Sequence, residues 1–248
     1  MTTVLGYALA LLIGLSLGLL GGGGSILTVP VLHYVLRFGV KEAIPMSLVV
    51  VGLTSGFGAI SHWRAGTVRR RMALAFGPPA IVGAVLGAEL GLRVDATTQL
   101  TVFGVVVLLA AVSMLRGGIG AGRGASGARH PLPFITLVGA LVGVLTGFVG
   151  VGGGFLYVPA LALLGGLAMK EAIGTSLVLI VLSCAAGLVR YAGHLELDWH
   201  ATAVFTGIAF VGVAAGSRLV PYVSQQTLKK GFALFLLVMG ATVLLGGR

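Results

Sequence analysis

Two glycine clusters are the residues of this sequence best suited to hold a ligand. Residues 21–24 interrupt the first apolar run, and Gly150 with residues 152–154 interrupts the fifth. Because glycine is the poorest helix former after proline, each cluster should unwind the chain and leave backbone N–H and C=O groups in need of partners. A helix that starts just beyond a break, at Ser25 or Gly154, has a partly positive N-terminus, which favours anions. The paired breaks therefore predict a site for a small anion.

Backbone groups of the breaks and nearby hydroxyls are the predicted substrate contacts. The alternative is that the glycines only let helices pack closely, and that the hydroxyls only bond the preceding helical turn. Arg190, near the end of the sixth run, is a further candidate for binding an anion. The complete predicted set is Gly22, Gly23, Gly24, Ser25, Thr54, Ser55, Gly152, Gly153, Gly154, Phe155, Tyr157, Ser183 and Arg190.

Three ionisable side chains within or at the end of apolar runs are candidates for a proton relay: His33, His62 and Glu89. Such residues are costly in a membrane and often functional. His62 could instead be an interfacial anchor. Glu89 aligns with Arg218 in the repeat described below, and the pair is more simply explained by opposite sidedness of the two helix ends.

Composition and motifs exclude several other classes of protein. Of the 248 residues, 57% are hydrophobic and 9% are charged, which is too few charges to cover the surface of a soluble domain. The net charge of +10 is scattered in short gaps between apolar runs, which argues against a nucleic-acid-binding surface. No hydrolase or kinase motif is present, and the loose Gly-x-Gly-x-x-Gly matches lack a preceding strand. We expect no cofactor, no metal and no enzymatic activity.

Helices that cross a lipid bilayer must position the candidate residues. A crossing needs about 20 apolar residues, and eight apolar segments fit this requirement. They cover residues 4–36, 43–62, 72–92, 97–115, 132–168, 172–192, 199–219 and 228–246. The sequence therefore predicts an all-α, multi-pass integral membrane protein whose first and fifth segments are broken by glycine.

The two halves of the chain are repeats of each other. Residues 18–32 (GLLGGGGSILTVPVL) match residues 147–161 (GFVGVGGGFLYVPAL), at an offset of 129. The same offset pairs KEA at 41–43 with KEA at 170–172. We predict an N-terminal transmembrane repeat over 1–116, a Gly/Ala/Arg linker over 117–131 and a C-terminal transmembrane repeat over 132–248.

The distribution of Lys and Arg favours inverted over parallel repeats. If each glycine-broken run returns to the side that it entered, the halves are inverted and the 16 basic residues divide 11 to 5. If each run crosses once, the halves are parallel and the division is 9 to 7. Cytoplasmic loops favour Lys and Arg, so the inverted arrangement is predicted, with residues 64–71 inside and Arg248 outside.

The doubled glycine break, each followed by Val-Pro and then by Lys-Glu-Ala, resembles the sulfite exporter TauE/SafE family of membrane permeases. The resemblance implies proton-dependent transport of sulfite, sulfoacetate or other organosulfonates across the bacterial inner membrane. The leading hypothesis is a secondary transporter, an exporter working by alternating access; the alternative is a channel-like permease for small anions or neutral solutes. The expected partners are the anionic substrate and the lipid bilayer. The glycine-rich helix faces are consistent with a homodimer interface, and equally with packing of helices within one chain. The first break has Gly22 and Ser25 where the second has Val151 and Gly154, so an asymmetric site is expected.

Overall fold

The structure, a computed structural model, describes residues 2–91, 93–94, 96–116, 131–149, 154–191 and 198–246. All regular structure in these residues is helical, which confirms the predicted all-α fold. The helices are α1 (Thr2–Leu20), α2 (Gly23–Pro30), α3 (Val40–Arg64), α4 (Arg70–Gly91), α5 (Ala96–Leu115), α6 (Leu132–Val149), α7 (Gly154–Pro159), α8 (Met169–Tyr191), α9 (Trp199–Leu219) and α10 (Gln225–Gly246). A π-helical turn continues α2 over Val31–Val35 and α7 over Ala160–Leu164. Of the predicted linker, only Pro131 is among the described residues, and the division into halves at that linker stays a prediction.

Several helices have the length and composition of membrane spans. Among the described residues, three segments are long and apolar enough to cross a bilayer: Glu42–Arg64, Met169–Leu188 and Trp199–Tyr222. Large apolar side chains also cover the outside of the protein, and Leu74 and Val211 are 75% and 63% exposed. An outer surface of this kind is stable in lipid and marks a multi-pass membrane protein.

The first apolar run folds back on itself at Gly21. This residue has a φ of +79°, in the left-handed region that glycine adopts without a steric penalty. The return segment lies along α1, since a Cβ on Gly24 would be 2.4 Å from the Ile13 carbonyl oxygen. Further along the same pair, a Cβ on Gly6 would be 2.5 Å from Leu36 Cδ2. The run therefore ends on the side where it began.

Helices α3 and α8 occupy equivalent positions in the two repeats, and they pack against each other in opposite directions. A Cβ on Gly52 would lie 3.1 Å from the Cβ of Cys184. Two turns later in α3, a Cβ on Gly58 would lie 3.1 Å from Leu177, which precedes Cys184 in α8. Since equivalent helices run antiparallel, the repeats are inverted, as the charge distribution predicts.

The same two-fold relation joins α1 to α9 and α6 to α4. In one pair, a Cβ on Gly14 would lie 2.1 Å from the Ala209 carbonyl oxygen. In the other, a Cβ on Gly143 would lie 2.1 Å from the Ala80 carbonyl oxygen, and these residues are the repeat equivalents of the first two. Reciprocal contacts of this kind are what a two-fold axis produces. Many glycines outside the breaks therefore serve close helix packing.

One end of the protein is held together by polar contacts between its connecting segments. The Lys170 backbone N–H donates to Gln225 Oε1 at 3.1 Å, and Lys170 Nζ donates to the Pro221 carbonyl oxygen at 2.9 Å. At the same end, Arg69 forms an ion pair with Glu171. The α3–α4 loop, the start of α8 and the α9–α10 turn therefore share one side of the protein.

Cysteine labelling should verify this sidedness. The only cysteine, Cys184, is 1% exposed, so the unmodified chain should react little with a membrane-impermeant maleimide. We expect Ala65→Cys and Ser224→Cys to be labelled from the same side and Gly39→Cys from the other side. Parallel repeats would instead place residues 65 and 224 on opposite sides, so labelling of intact spheroplasts and inverted vesicles separates the two arrangements.

Candidate functional site

The two glycine breaks meet inside the protein. A Cβ on Gly22 would lie 2.2 Å from the Gly154 carbonyl oxygen and 2.8 Å from Phe155 Cα. Only glycine at position 22 permits this approach of two backbones. Helix α2 begins at Gly23, earlier than the predicted Ser25, and α7 is described from Gly154 onward. The starts of the two short helices are therefore neighbours.

This meeting point lies at the middle depth of the helix bundle. A Cβ on Gly154 would be 2.8 Å from the side chain of Ile180, the central residue of the 23-residue α8. The same Cβ position is 3.0 Å from Ser25 Oγ. Paired broken helices that meet at mid-depth are the usual setting of a substrate site in transporters with inverted repeats.

Ser25 supplies a hydroxyl group between the two breaks. Its side chain is buried, and its Oγ donates to the Gly22 carbonyl oxygen at 2.8 Å. The Ser25 backbone N–H donates to the same oxygen at 3.3 Å, so this predicted anion donor is already engaged within the first turn of α2. Gly22 caps α2 without a side-chain hydrogen bond to the helix. The first N–H groups of a helix lack acceptors within the helix. At the start of α2, the residues that carry these N–H groups lie in the glycine break.

The second half contains a polar bridge between helices that the first half lacks. Tyr157 is 1% exposed, and its hydroxyl group lies 2.7 Å from Ser183 Oγ. The repeat equivalents, Thr28 and Thr54, instead donate to carbonyl oxygens of their own helices at 3.1 Å and 2.6 Å. Thr54 makes the bond to the preceding turn that the alternative describes, and its role as a substrate contact stays a prediction. The polar surroundings of the breaks are asymmetric.

Three polar atoms are fully buried without a hydrogen-bond partner among the described residues: Ser55 Oγ, His62 Nε2 and Ser217 Oγ. Most buried polar side chains in proteins have a partner. Ser55 is the neighbour of Thr54 on α3 and is 0% exposed. These atoms have hydrogen-bonding capacity available to a ligand or a proton.

His62 lies near the end of α3, against the start of α8. Its Nδ1 is 2.9 Å from Thr67 Oγ1, and that hydroxyl donates to the His62 carbonyl oxygen at 3.0 Å. Because the hydroxyl proton is used in this way, Nδ1 is assigned as the protonated nitrogen and Nε2 as the bare one. A Cβ on Gly174 would be 2.7 Å from Thr67 Oγ1, so α8 packs directly on this pair.

The loop that follows α3 is fastened to α8 by two further contacts. The Arg69 backbone N–H donates to Thr175 Oγ1 at 3.0 Å, and the guanidinium group pairs with Glu171. A hydrogen bond to Glu171, and then the charge of that carboxylate, raise the pKa of Arg69 above its ordinary value. Since the Arg69 side chain is 56% exposed, the ion pair contributes at most about 1 kcal/mol. The sequence patterns did not indicate Thr67, Arg69 or Glu171 as functional residues.

The structure does not bring the other two relay candidates to the breaks. His33 lies in the turn after α2, where its Nδ1 is 2.8 Å from the Phe38 carbonyl oxygen. Glu89 is exposed at the end of α4 and pairs with Arg93 at 3.5 Å. Gly152, Gly153 and the side chain of Arg190 lie outside what the structure describes. The described part of the chain holds no group of three or more His, Cys, Asp or Glu side chains that could bind a metal ion.

Comparison with known proteins agrees with this architecture. Residues 6–243 match the family described as sulfite exporter TauE/SafE. A "Probable membrane transporter protein" of Xylella fastidiosa strain Temecula1 is 33% identical over 94% of this chain and 91% of its own length. The "Probable membrane transporter protein YdhB" of Bacillus subtilis is 24% identical over 94% of this chain and 96% of its own. No solved structure matches the chain. With its apolar helices and paired glycine breaks, the chain belongs to the sulfite exporter TauE/SafE family of membrane transporters.

Proposed function

We propose that this transporter exports a small sulfur-containing anion, such as sulfite, sulfoacetate or another organosulfonate, across the bacterial inner membrane. The observation that carries the proposal is the contact between Gly22 and Gly154 at mid-depth. Two helix starts meet there, and their partial positive charges favour an anion. The Ser25 hydroxyl, which lies beside Gly154, would turn away from the Gly22 carbonyl oxygen and donate its proton to the bound substrate.

Alternating access would be a rocking of one repeat against the other around this point. The contacts of Arg69 with Thr175 and Glu171 hold the loop after α3 against the start of α8, at one end of the protein. Opening that end would break these contacts. Because an exposed ion pair and one hydrogen bond are weak, substrate binding could supply enough free energy to open them.

Proton coupling is assigned to His62 in this proposal. Histidine changes its charge close to neutral pH, and Nε2 is the nitrogen that would take up the proton. That nitrogen is buried, and the Gly18 backbone is the acceptor within reach, so a proton there would place a positive charge in a desolvated site. Proton uptake would therefore favour movement of the α3–α4 loop away from α8.

Transport by purified protein in proteoliposomes tests the function. We expect saturable movement of sulfite or sulfoacetate, accumulation against a concentration gradient when a pH gradient is imposed, and loss of accumulation with a protonophore. His62→Gln should retain downhill exchange and lose the proton-driven accumulation, whereas Ser25→Ala should raise the KM by about tenfold, the effect of one hydrogen bond to a charged group.

Two outcomes would contradict the proposal. Flux that stays downhill under every pH gradient would indicate the channel-like permease. A panel of sulfite, sulfoacetate, taurine and sulfate without saturable transport would reject the substrate class. The matched control is Gly207→Ala in α9, where an added Cβ meets no atom within 4 Å.

A further inference from the structure

A group of arginines follows the end of α3 and carries positive charge that the described acidic residues do not balance. Arg64, Arg69, Arg70 and Arg71 are all exposed. The ion pairs found among the described residues are Arg69 with Glu171 and a distant pair at the end of α4. The other three arginines are therefore available to an anion from outside the chain.

An aromatic side chain orients one of these arginines at the membrane interface. The Arg70 guanidinium carbon lies 4.5 Å from the centre of the Trp63 ring, within the range of a cation–π interaction. Trp63 is 47% exposed at the end of a span, where tryptophan commonly sits at the level of lipid headgroups. We therefore expect Arg70 to lie at the depth of the lipid phosphates.

A shallow apolar crevice in the surface of α3 lies directly beside Arg64. It has a volume of about 230 Å³ and is lined by Ala59, Ile60, Trp63 and Arg64. Ile60 is 54% exposed, so the crevice opens on the outer, lipid-facing surface of α3. Arg64 borders it at the water side, and Ala59 and Ile60 border it one turn deeper. The deeper part of the crevice, at Ala59 and Ile60, is therefore apolar, and its water side, at Arg64, is cationic.

We propose that this surface is a binding site for an anionic phospholipid. The lipid phosphate would lie between Arg64 and Arg70, and the upper part of an acyl chain would lie along Ala59 and Ile60. Basic groups next to membrane helices favour anionic over zwitterionic lipids, because a zwitterionic headgroup brings its own cation. Inorganic phosphate has no chain to fill the crevice and would bind much more weakly.

Tryptophan quenching by brominated lipids can test the site directly. The chain has two tryptophans, so Trp199→Phe leaves Trp63 as the only one. This variant is reconstituted in phosphatidylcholine vesicles with a minority of phosphatidylglycerol, and bromine is placed on the acyl chains of one lipid or the other. We expect brominated phosphatidylglycerol to quench Trp63 about twofold more than its share of the bilayer predicts, and Arg64→Gln with Arg70→Gln to remove this excess.

A charge-matched control separates a site from a general attraction of the protein for anionic lipid. Lys229→Gln with Lys230→Gln removes the same charge from α10 and should leave the excess quenching intact. Equal loss in both double variants, or quenching in proportion to composition in the parent, would overturn the proposal. Reversal of the excess by millimolar inorganic phosphate would also overturn it, in favour of a site for a free anion.

Discussion

Gly22→Ala should abolish transport while leaving the protein inserted in the membrane. The added Cβ would lie 2.2 Å from the Gly154 carbonyl oxygen, so one of the two backbones must move. A shift of about 1 Å in a positioned binding group lowers a rate by about two orders of magnitude. The measurement is substrate flux in proteoliposomes, normalised to the amount of protein recovered in the bilayer.

A graded series makes this result specific. Gly154→Ala should be milder, because its Cβ would meet the flexible ends of Ile180 and Ser25 and not a backbone atom. Gly207→Ala should retain normal flux, since the space beside it is open. Equal flux for all three variants would show that the contact between the breaks does not form the substrate pathway.

The second large effect is expected at the two equivalent helix interfaces. Gly14→Leu and Gly143→Leu would each drive a side chain into a carbonyl oxygen, at Ala209 and Ala80 respectively, only 2.1 Å from the Cβ position. Overpacking against a backbone that cannot move should cost more than about 3 kcal/mol. Both variants should lower the melting temperature in detergent by similar amounts, because a two-fold axis relates the two contacts.

Gly207→Leu is the matched control for the interface variants, because it adds the same side chain to a helix glycine with open space around it. It should melt within a few degrees of the parent protein. A normal melting temperature for Gly14→Leu beside a lowered one for Gly143→Leu would contradict the equivalence of the two interfaces.

The sequence predicted the features that depend on local chemistry and on repetition. Four near-consecutive glycines predicted the break at residues 21–24 because glycine destabilises a helix wherever it occurs; the matching break falls on residues 150–153, outside the described residues, and stays a prediction. The bias of Lys and Arg predicted inverted repeats through a physical rule of membrane topology. The first prediction depends on one segment, and the second depends on a sum of charges over the loops. Both quantities can be read from a sequence without knowing how the helices pack.

Contacts between distant segments could not be read from the sequence. Arg69 and Glu171 are 102 residues apart, and the repeated Lys-Glu-Ala motif gave no sign that one of its two glutamates pairs with a loop. Tyr157 and Ser183 were both predicted as substrate contacts, yet their hydroxyl groups bind each other. The helical periodicity of a sequence predicts which face of a helix carries a hydroxyl group. The hydrogen-bond partner of that group depends on how the helices pack.

The Tyr157–Ser183 bridge has a consequence for the transport cycle. In an inverted repeat, the inward-open and outward-open states can arise when the two halves exchange conformations. With identical halves these states would have equal free energy. Because only one half carries the bridge, the two states should differ in free energy. The empty transporter should therefore face mainly one side of the membrane. A difference of about 1.4 kcal/mol is enough for a tenfold preference, so under the proposed alternating access the Tyr157–Ser183 bridge would favour one of the two facing states.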